Sequence, residues 1–160
     1  MNWPLQENFL DNKSKKDLVN FITKNTRFTQ FKKVREFEKK FSKWNGSKYS
    51  IFVNSGSSAN LLIVQCAKEL NRWKHGDEVI VPAVTWPTTV TPVIQSGLKP
   101  IFVDVNLNDF SYDYEKLKSS ITKRTKAIFV AHLIGFPSDI LKIKKIISKR
   151  NITILEDCCE

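Results

Sequence analysis

A chain of 160 residues is long enough to bury one hydrophobic core, and 41% hydrophobic with 26% charged residues is the composition of a soluble globular protein. No apolar stretch approaches the roughly 18 residues of a membrane span, and the N-terminal stretch lacks the apolar core of a signal peptide, so we expect a cytoplasmic protein that makes no membrane contact. The net charge of +10 comes from lysines scattered along predicted helix faces. Because no aromatic-basic nucleic-acid motif accompanies them, we expect no nucleic-acid partner.

The cysteine pattern excludes two further classes of protein. Cys66, Cys158 and Cys159 have neither the spacing of a metal site nor that of a disulfide framework. An odd number of cysteines, two of them adjacent, fits a reducing compartment. We therefore predict no metal site.

The first third of the chain is predicted to contain two helices and one strand. Residues 1–30 show little periodicity and are interpreted as an N-terminal arm with one short helix around "SKKDLVNFITKN". Apolar residues then recur at three- and four-residue spacings through "VREFEKKFSKW", which predicts an amphipathic helix ended by the Asn45-Gly46 pair. The β-rich run "KYSIFV" predicts a short strand.

From Ser57 onward the pattern predicts a helix and then a regular alternation of strands and helices. Strands that are apolar throughout and separated by helices form a mostly parallel sheet with helices on both faces, so residues 31–160 are predicted to be one α/β layer structure. In chain order the alternating segments are the strand "EVIVP", the helix "TTVTPVIQSG", the strand "KPIFVDV", the helix "DYEKLKSSI", the strand "TKAIFVAHL", the helix "SDILKIKKIISKRN" and the strand "ITILED".

Small and polar residues follow the "SIFV" run, in the stretch "NSGSSAN". Ligands of parallel sheets bind beyond the carboxyl ends of the strands, and a helix N-terminus at that point offers free backbone N–H groups to an anion. Gly56 would allow close approach of the backbone, and Ser57 and Ser58 would add hydroxyl donors. The stretch lacks the glycine spacing of a dinucleotide fold and the lysine of a nucleotide P-loop. The alternative interpretation is a helix start capped by serine.

Two other strand ends carry residues suited to a flat, charged cofactor. Trp86 follows a strand and could stack on a ring, although it could instead pack in the core under a loop. Glu156 and Asp157 end the last strand, where a carboxylate could pair with a protonated ring nitrogen or cap a helix. A phosphate cradle, a stacking aromatic residue and a strand-end aspartate are together what a protein contributes to a pyridoxal phosphate site.

The residues at this point resemble the DegT/StrS family of pyridoxal-phosphate enzymes, over about residues 27–160. The resemblance implies a partial large domain of the aspartate aminotransferase type in residues 31–160, with the small C-terminal domain absent, and a homodimer when the protein is complete. Five blocks in the family's order carry the resemblance: "KVREFEKKFSKW", "NSGSSANLL", "GDEVIVPAVTWPTTVTPVIQSGLKPIFVDV", "TKAIFVAHLIGFP" and "ILEDCCE".

The family's cofactor contacts can be transferred to matching positions of this sequence. The resemblance implies that Gly56 and Ser57 bind the cofactor phosphate, that Trp86 stacks on the pyridine ring and that Asp157 pairs with the pyridine nitrogen. Glu160 stands where aminotransferases of the family usually have glutamine, near the phenolic oxygen of the cofactor.

No catalytic residue is assigned within the chain. The family attaches its cofactor to a lysine some tens of residues beyond the position of Glu160, and in the sugar 3-dehydratase branch a histidine replaces that lysine. The chain alone is therefore expected to be inactive. His132, in "AHLIGFP", matches a frequent family histidine whose expected role is in loop structure.

The resemblance implies an aminotransferase that delivers an amino group from a donor such as glutamate to a nucleotide-linked keto-deoxy sugar in surface polysaccharide biosynthesis. The alternatives are a nucleotide-sugar 3-dehydratase of 3,6-dideoxyhexose synthesis, which "NSGSSANLL", "WPTTVTPVIQSGL" and Glu160 favour, or an inactive truncated remnant. A nicotinamide-binding Rossmann domain would need a glycine-rich fingerprint after its first strand, which is missing.

Overall fold

The computed structural model describes residues 10–160, and the chain divides into two compact units, Met1–Phe52 and Val53–Glu160. The division into an N-terminal arm of residues 1–30 and an incomplete large domain of residues 31–160 stays a prediction. The helices and strands are α1 (Asn12–Lys24), α2 (Lys32–Asn45), α3 (Gly56–Asn71), β1 (Glu78–Pro82), α4 (Pro87–Gln95), β2 (Lys99–Val103), α5 (Tyr114–Ser120), β3 (Thr125–Ala131), α6 (Ile140–Ile146) and β4 (Thr153–Asp157).

The first unit contains the two predicted helices but not the predicted strand. The Asp11 side chain caps α1 by accepting from the Ser14 N–H at 2.7 Å, and α2 ends at Gly46, whose φ of 70° lies in the left-handed region that glycine favours. The "KYSIFV" strand is wrong, because this segment has no strand partner within residues 10–160. Tyr49 and Ile51 are 74% and 75% exposed there.

The second unit is built on four parallel strands in the order β2-β1-β3-β4. The chain passes from β1 to β2 on one side and then crosses to β3 on the other side of β1. The strand order therefore reverses between β1 and β3, and a crevice opens beyond the carboxyl ends of the strands at such a point. Ligands of open α/β sheets bind in that crevice.

Helices cover both faces of the sheet, as predicted. Side chains alternate along a strand, so Val79 and Val81 of β1 pack on one face with residues of α3 and α4, while Ile80 packs on the other with residues of α5 and α6. Val64 of α3 and Leu117 of α5 are fully buried on the two faces. The mostly parallel α/β fold is confirmed.

Helix α4 contains a proline that leaves one carbonyl without a helical partner. Pro87 stands at its first turn, where a missing N–H is tolerated, but Pro92 lies inside the helix. Because proline has no N–H, the carbonyl oxygen of Thr88, four residues earlier, receives no helical hydrogen bond from it. That oxygen is available to another donor.

Candidate functional site

Asp157 ends β4, and three hydrogen-bond donors hold its side chain. The Asn60 side-chain amide donates to Oδ2 at 2.8 Å, and the Thr89 hydroxyl approaches the same oxygen at 3.4 Å. The backbone N–H of Cys159 donates to Oδ1 at 3.1 Å. The carboxylate is thus held in one orientation at the carboxyl end of the sheet, where its half-buried position leaves part of it accessible.

Asn60 is a site residue that the sequence analysis does not identify, although its position on an apolar helix face is a recognisable sign. It is 7% exposed and lies on the buried face of α3 with Val64 and Ala67, at helical spacing. A polar residue on an apolar face needs a partner, because burial without a hydrogen bond is costly. Asn60 has two: its amide donates to Asp157 and, at 3.2 Å, to the Thr88 carbonyl.

The "NSGSSAN" stretch forms a helix start capped by serine, and the anion site proposed there stays a prediction. Ser55 caps the helix, its hydroxyl accepting from the Ser58 N–H at 3.2 Å. The N–H groups of Gly56 and Ser57 belong to the first turn, where no intrahelical acceptor exists. A Cβ added at Gly56 would meet no heavy atom within 4 Å, so the backbone there is open to a ligand. Gly56 precedes Asn60 by about one helical turn.

Trp86 lies at the N-terminus of α4 and is 66% exposed, which is inconsistent with the core-packing alternative. Its carbonyl accepts from the backbone N–H of Thr89 at 3.0 Å. The Thr89 hydroxyl in turn approaches Asp157, so one turn of chain links the Trp86 backbone to the carboxylate. The contact of the Trp86 indole with a cofactor ring stays a prediction.

His132, Glu156 and Cys158 form a second cluster, with potential ligand atoms within 4.8 Å of one another. The Ser138 N–H donates to Nδ1 of His132 at 3.1 Å, so the neutral ring carries its proton on Nε2, which lies 3.2 Å from Glu156 Oε2. A metal ion at Nε2 would require the opposite tautomer. His132 therefore links Glu156 with the backbone of the loop at Ser138 through two hydrogen bonds.

Cys158 is poorly suited to act as a thiolate. Although the residue is exposed as a whole, desolvation of its sulfur raises the pKa of the thiol, and the charges of Glu156 and Asp157 raise the same pKa further. The thiol therefore keeps its proton at neutral pH.

Glu160 contacts the loop that follows β3. Its carboxylate accepts a hydrogen bond from the backbone N–H of Ile134, which has a left-handed φ of 55°. Within residues 10–160 its side chain forms no hydrogen bond with Asp157. The structure therefore shows Glu160 in this loop contact, and its place near the cofactor stays a prediction.

The comparisons with known proteins agree with the fold and with the family resemblance. The sequence model of the DegT/DnrJ/EryC1/StrS aminotransferase family matches residues 10–160. The chain is 44% identical over 162 aligned positions to the GDP-4-keto-6-deoxy-D-mannose 3-dehydratase of Yersinia pseudotuberculosis, covering all of this chain and 41% of the relative. It is 38% identical to the dTDP-3-amino-3,6-dideoxy-alpha-D-galactopyranose transaminase of Aneurinibacillus thermoaerophilus, over 79% of this chain and 34% of that one.

The fold also matches that of a solved structure. The E. coli GDP-4-keto-6-deoxy-D-mannose-3-dehydratase with bound hydrated pyridoxal phosphate superposes with a TM-score of 0.91 at 42% identity, over 99% of this chain and 41% of that one. The chain thus spans less than half the length of each of these relatives.

Proposed function

Because the chain belongs to the DegT/DnrJ/EryC1/StrS aminotransferase family, we propose that it is the N-terminal part of a pyridoxal-phosphate-dependent 3-dehydratase that acts on a nucleotide-linked keto-deoxy sugar. The observation that carries the cofactor assignment is the Asp157 carboxylate, held by Asn60 and Thr89 at the carboxyl end of the sheet. We rank dehydration ahead of amination as the candidate reaction, because the relative matched over the whole chain at 44% identity is a 3-dehydratase.

The residues present fit pyridoxal phosphate. An oriented carboxylate suits a protonated pyridine nitrogen, an exposed indole suits the face of a ring, and the open first turn of α3 suits a phosphate. Asp157, Trp86, Gly56 and Ser57 are assigned these roles. When bound, the cofactor supplies an electron sink for the substrate carbon from which a proton is removed.

The chain's own residues would bind and orient the cofactor, and none is assigned a proton-transfer step. Asp157 would hold the ring nitrogen in its protonated form, which strengthens the electron sink. Trp86 would fix the plane of the ring by covering one face. Glu160 would lie near the phenolic oxygen, and its contact with Ile134 would tie its backbone segment to the loop after β3.

The test uses the full-length gene product with added pyridoxal phosphate, a GDP-linked 4-keto-6-deoxy sugar and glutamate labelled at nitrogen. A 3-dehydratase would give a sugar that has lost the hydroxyl beside the carbonyl and carries no label, as mass spectrometry would detect. A folded protein that binds no pyridoxal phosphate, judged by equilibrium dialysis, would refute the proposal.

Amination is the second candidate, and the transaminase relative supports it. The same experiment separates the two reactions, because amination would place the labelled nitrogen in the sugar. A nucleotide-linked keto sugar and glutamate are the proposed reactants in either case. A homodimer remains part of the proposal, to be checked by sedimentation of the full-length protein.

Within residues 10–160 every helix is too short or too polar to cross a membrane. The cytoplasmic location stays a prediction.

A further inference from the structure

We propose that Asn60 is the positioning residue that aims the Asp157 carboxylate at the ring nitrogen of the cofactor, an inference that rests on the proposed function. Asn60 and Asp157 are 97 positions apart in the chain, and their 2.8 Å hydrogen bond connects α3 with the end of β4. No other side-chain donor within residues 10–160 lies as close to Asp157; the Thr89 hydroxyl is 3.4 Å away.

The orientation of the Asn60 amide follows from its two partners. Both are oxygen acceptors, the Asp157 carboxylate and the Thr88 carbonyl, and only the nitrogen side of an amide donates. Each of the two hydrogens of Nδ2 therefore has a partner. The amide cannot flip without losing both hydrogen bonds.

The Thr88 carbonyl is free to anchor Asn60 because of Pro92. A residue with an N–H at position 92 would compete for that carbonyl as the helical donor, whereas proline has none to offer. The anchor leaves the second amide hydrogen directed at Asp157. Asn60 thus joins α3, α4 and β4 at the point where the carboxylate must face a ligand.

A side chain that only stabilises the fold would affect all ligands of the site equally. A side chain that aims Asp157 at a ring nitrogen should matter only for a ligand that has one. The two cases separate when pyridoxal phosphate is compared with its 1-deaza analogue, in which a C–H group replaces the ring nitrogen. Dissociation constants from equilibrium dialysis give a readout that does not depend on turnover.

The test uses the full-length protein with Asn60→Ala. We expect its affinity for pyridoxal phosphate to fall about tenfold, in line with the loss of one hydrogen bond to a charged group. The affinity for the 1-deaza analogue should change less than about twofold, since Asp157 has no ring N–H to accept there. Asn60→Ala added to Asp157→Asn should cause no further loss, because the two residues act as a unit.

Asn71→Ala is the matched control. Asn71 lies on the same helix, and its amide donates to the Ala67 carbonyl at 2.8 Å, away from Asp157. It should leave both dissociation constants unchanged.

If Asn60→Ala loses affinity equally for pyridoxal phosphate and for the 1-deaza analogue, this inference alone is overturned, because Asn60 would then have only a structural role. A wild-type protein that binds no pyridoxal phosphate would overturn the proposed function and this inference with it. The two failures are therefore distinguishable in one experiment.

Discussion

The guanidinium of Arg124 lies 2.7 Å from the carboxylate of Glu78, which is almost completely buried at the start of β1. The Thr122 hydroxyl donates to the other carboxylate oxygen. A buried charge is tolerated only when it is paired and hydrogen-bonded, so these partners allow a carboxylate to stand at the amino end of the central strands.

Removing the Arg124 side chain should therefore destabilise the fold. We expect Arg124→Ala to lower the free energy of unfolding by about 1–2 kcal/mol, because the buried Glu78 carboxylate keeps only the Thr122 hydroxyl as a partner. The effect is not larger because water reaches the exposed arginine and weakens the ion pair. Urea denaturation of the full-length protein measures this. Lys123→Ala, at the exposed neighbouring residue, is the control, and an equal shift in both variants would contradict the prediction.

Asp157→Asn should nearly abolish turnover while leaving some cofactor bound. Asparagine keeps the shape of the side chain but removes the negative charge that is proposed to hold the ring nitrogen protonated. Steady-state kinetics and dialysis on the full-length protein separate the two effects. Asp104→Asn, which removes a carboxylate paired with Lys116 on the surface, should leave both quantities unchanged. Normal turnover in Asp157→Asn would exclude the assigned role.

Trp86→Ala should weaken cofactor binding by about 1–2 kcal/mol, because the exposed indole would no longer cover the ring. Trp86→Phe should retain much of the affinity, since a smaller aromatic face can still stack. Trp44→Ala, at another highly exposed tryptophan in the first unit, is the control for loss of an indole. If phenylalanine and alanine at position 86 bind the cofactor equally, stacking is not the role of Trp86.

Alkylation of Cys158 should require a higher pH than alkylation of an ordinary cysteine. Only the thiolate reacts, and a raised pKa keeps the proton on the sulfur as the pH increases. The rate of iodoacetamide modification against pH, in a variant with Cys66→Ser and Cys159→Ser, gives the midpoint. Glu156→Gln should move that midpoint to lower pH by removing one nearby negative charge. A midpoint that does not move would contradict this cause.

The sequence predicted the elements of the second unit well because their signals are local. Apolar strands, the Ser55 cap and the alternation of strand and helix each depend on neighbours in the chain. The strand predicted at "KYSIFV" failed for the complementary reason: β-propensity describes residues that fit a half-buried sheet, and here no partner strand is present within residues 10–160. Tyr49 and Ile51 are exposed instead.

By itself the sequence determined the order of the strands and helices in the second unit and the positions of Trp86 and Asp157 after strands, since short-range patterns suffice for both. Only the tertiary structure decided the strand order β2-β1-β3-β4 and the meeting of Asn60 with Asp157 across 97 positions. Such a contact depends on how α3 and β4 pack on the same sheet. In the sequence this contact is visible only as a polar residue, Asn60, on a buried helix face. Its partner can be identified only from the tertiary structure.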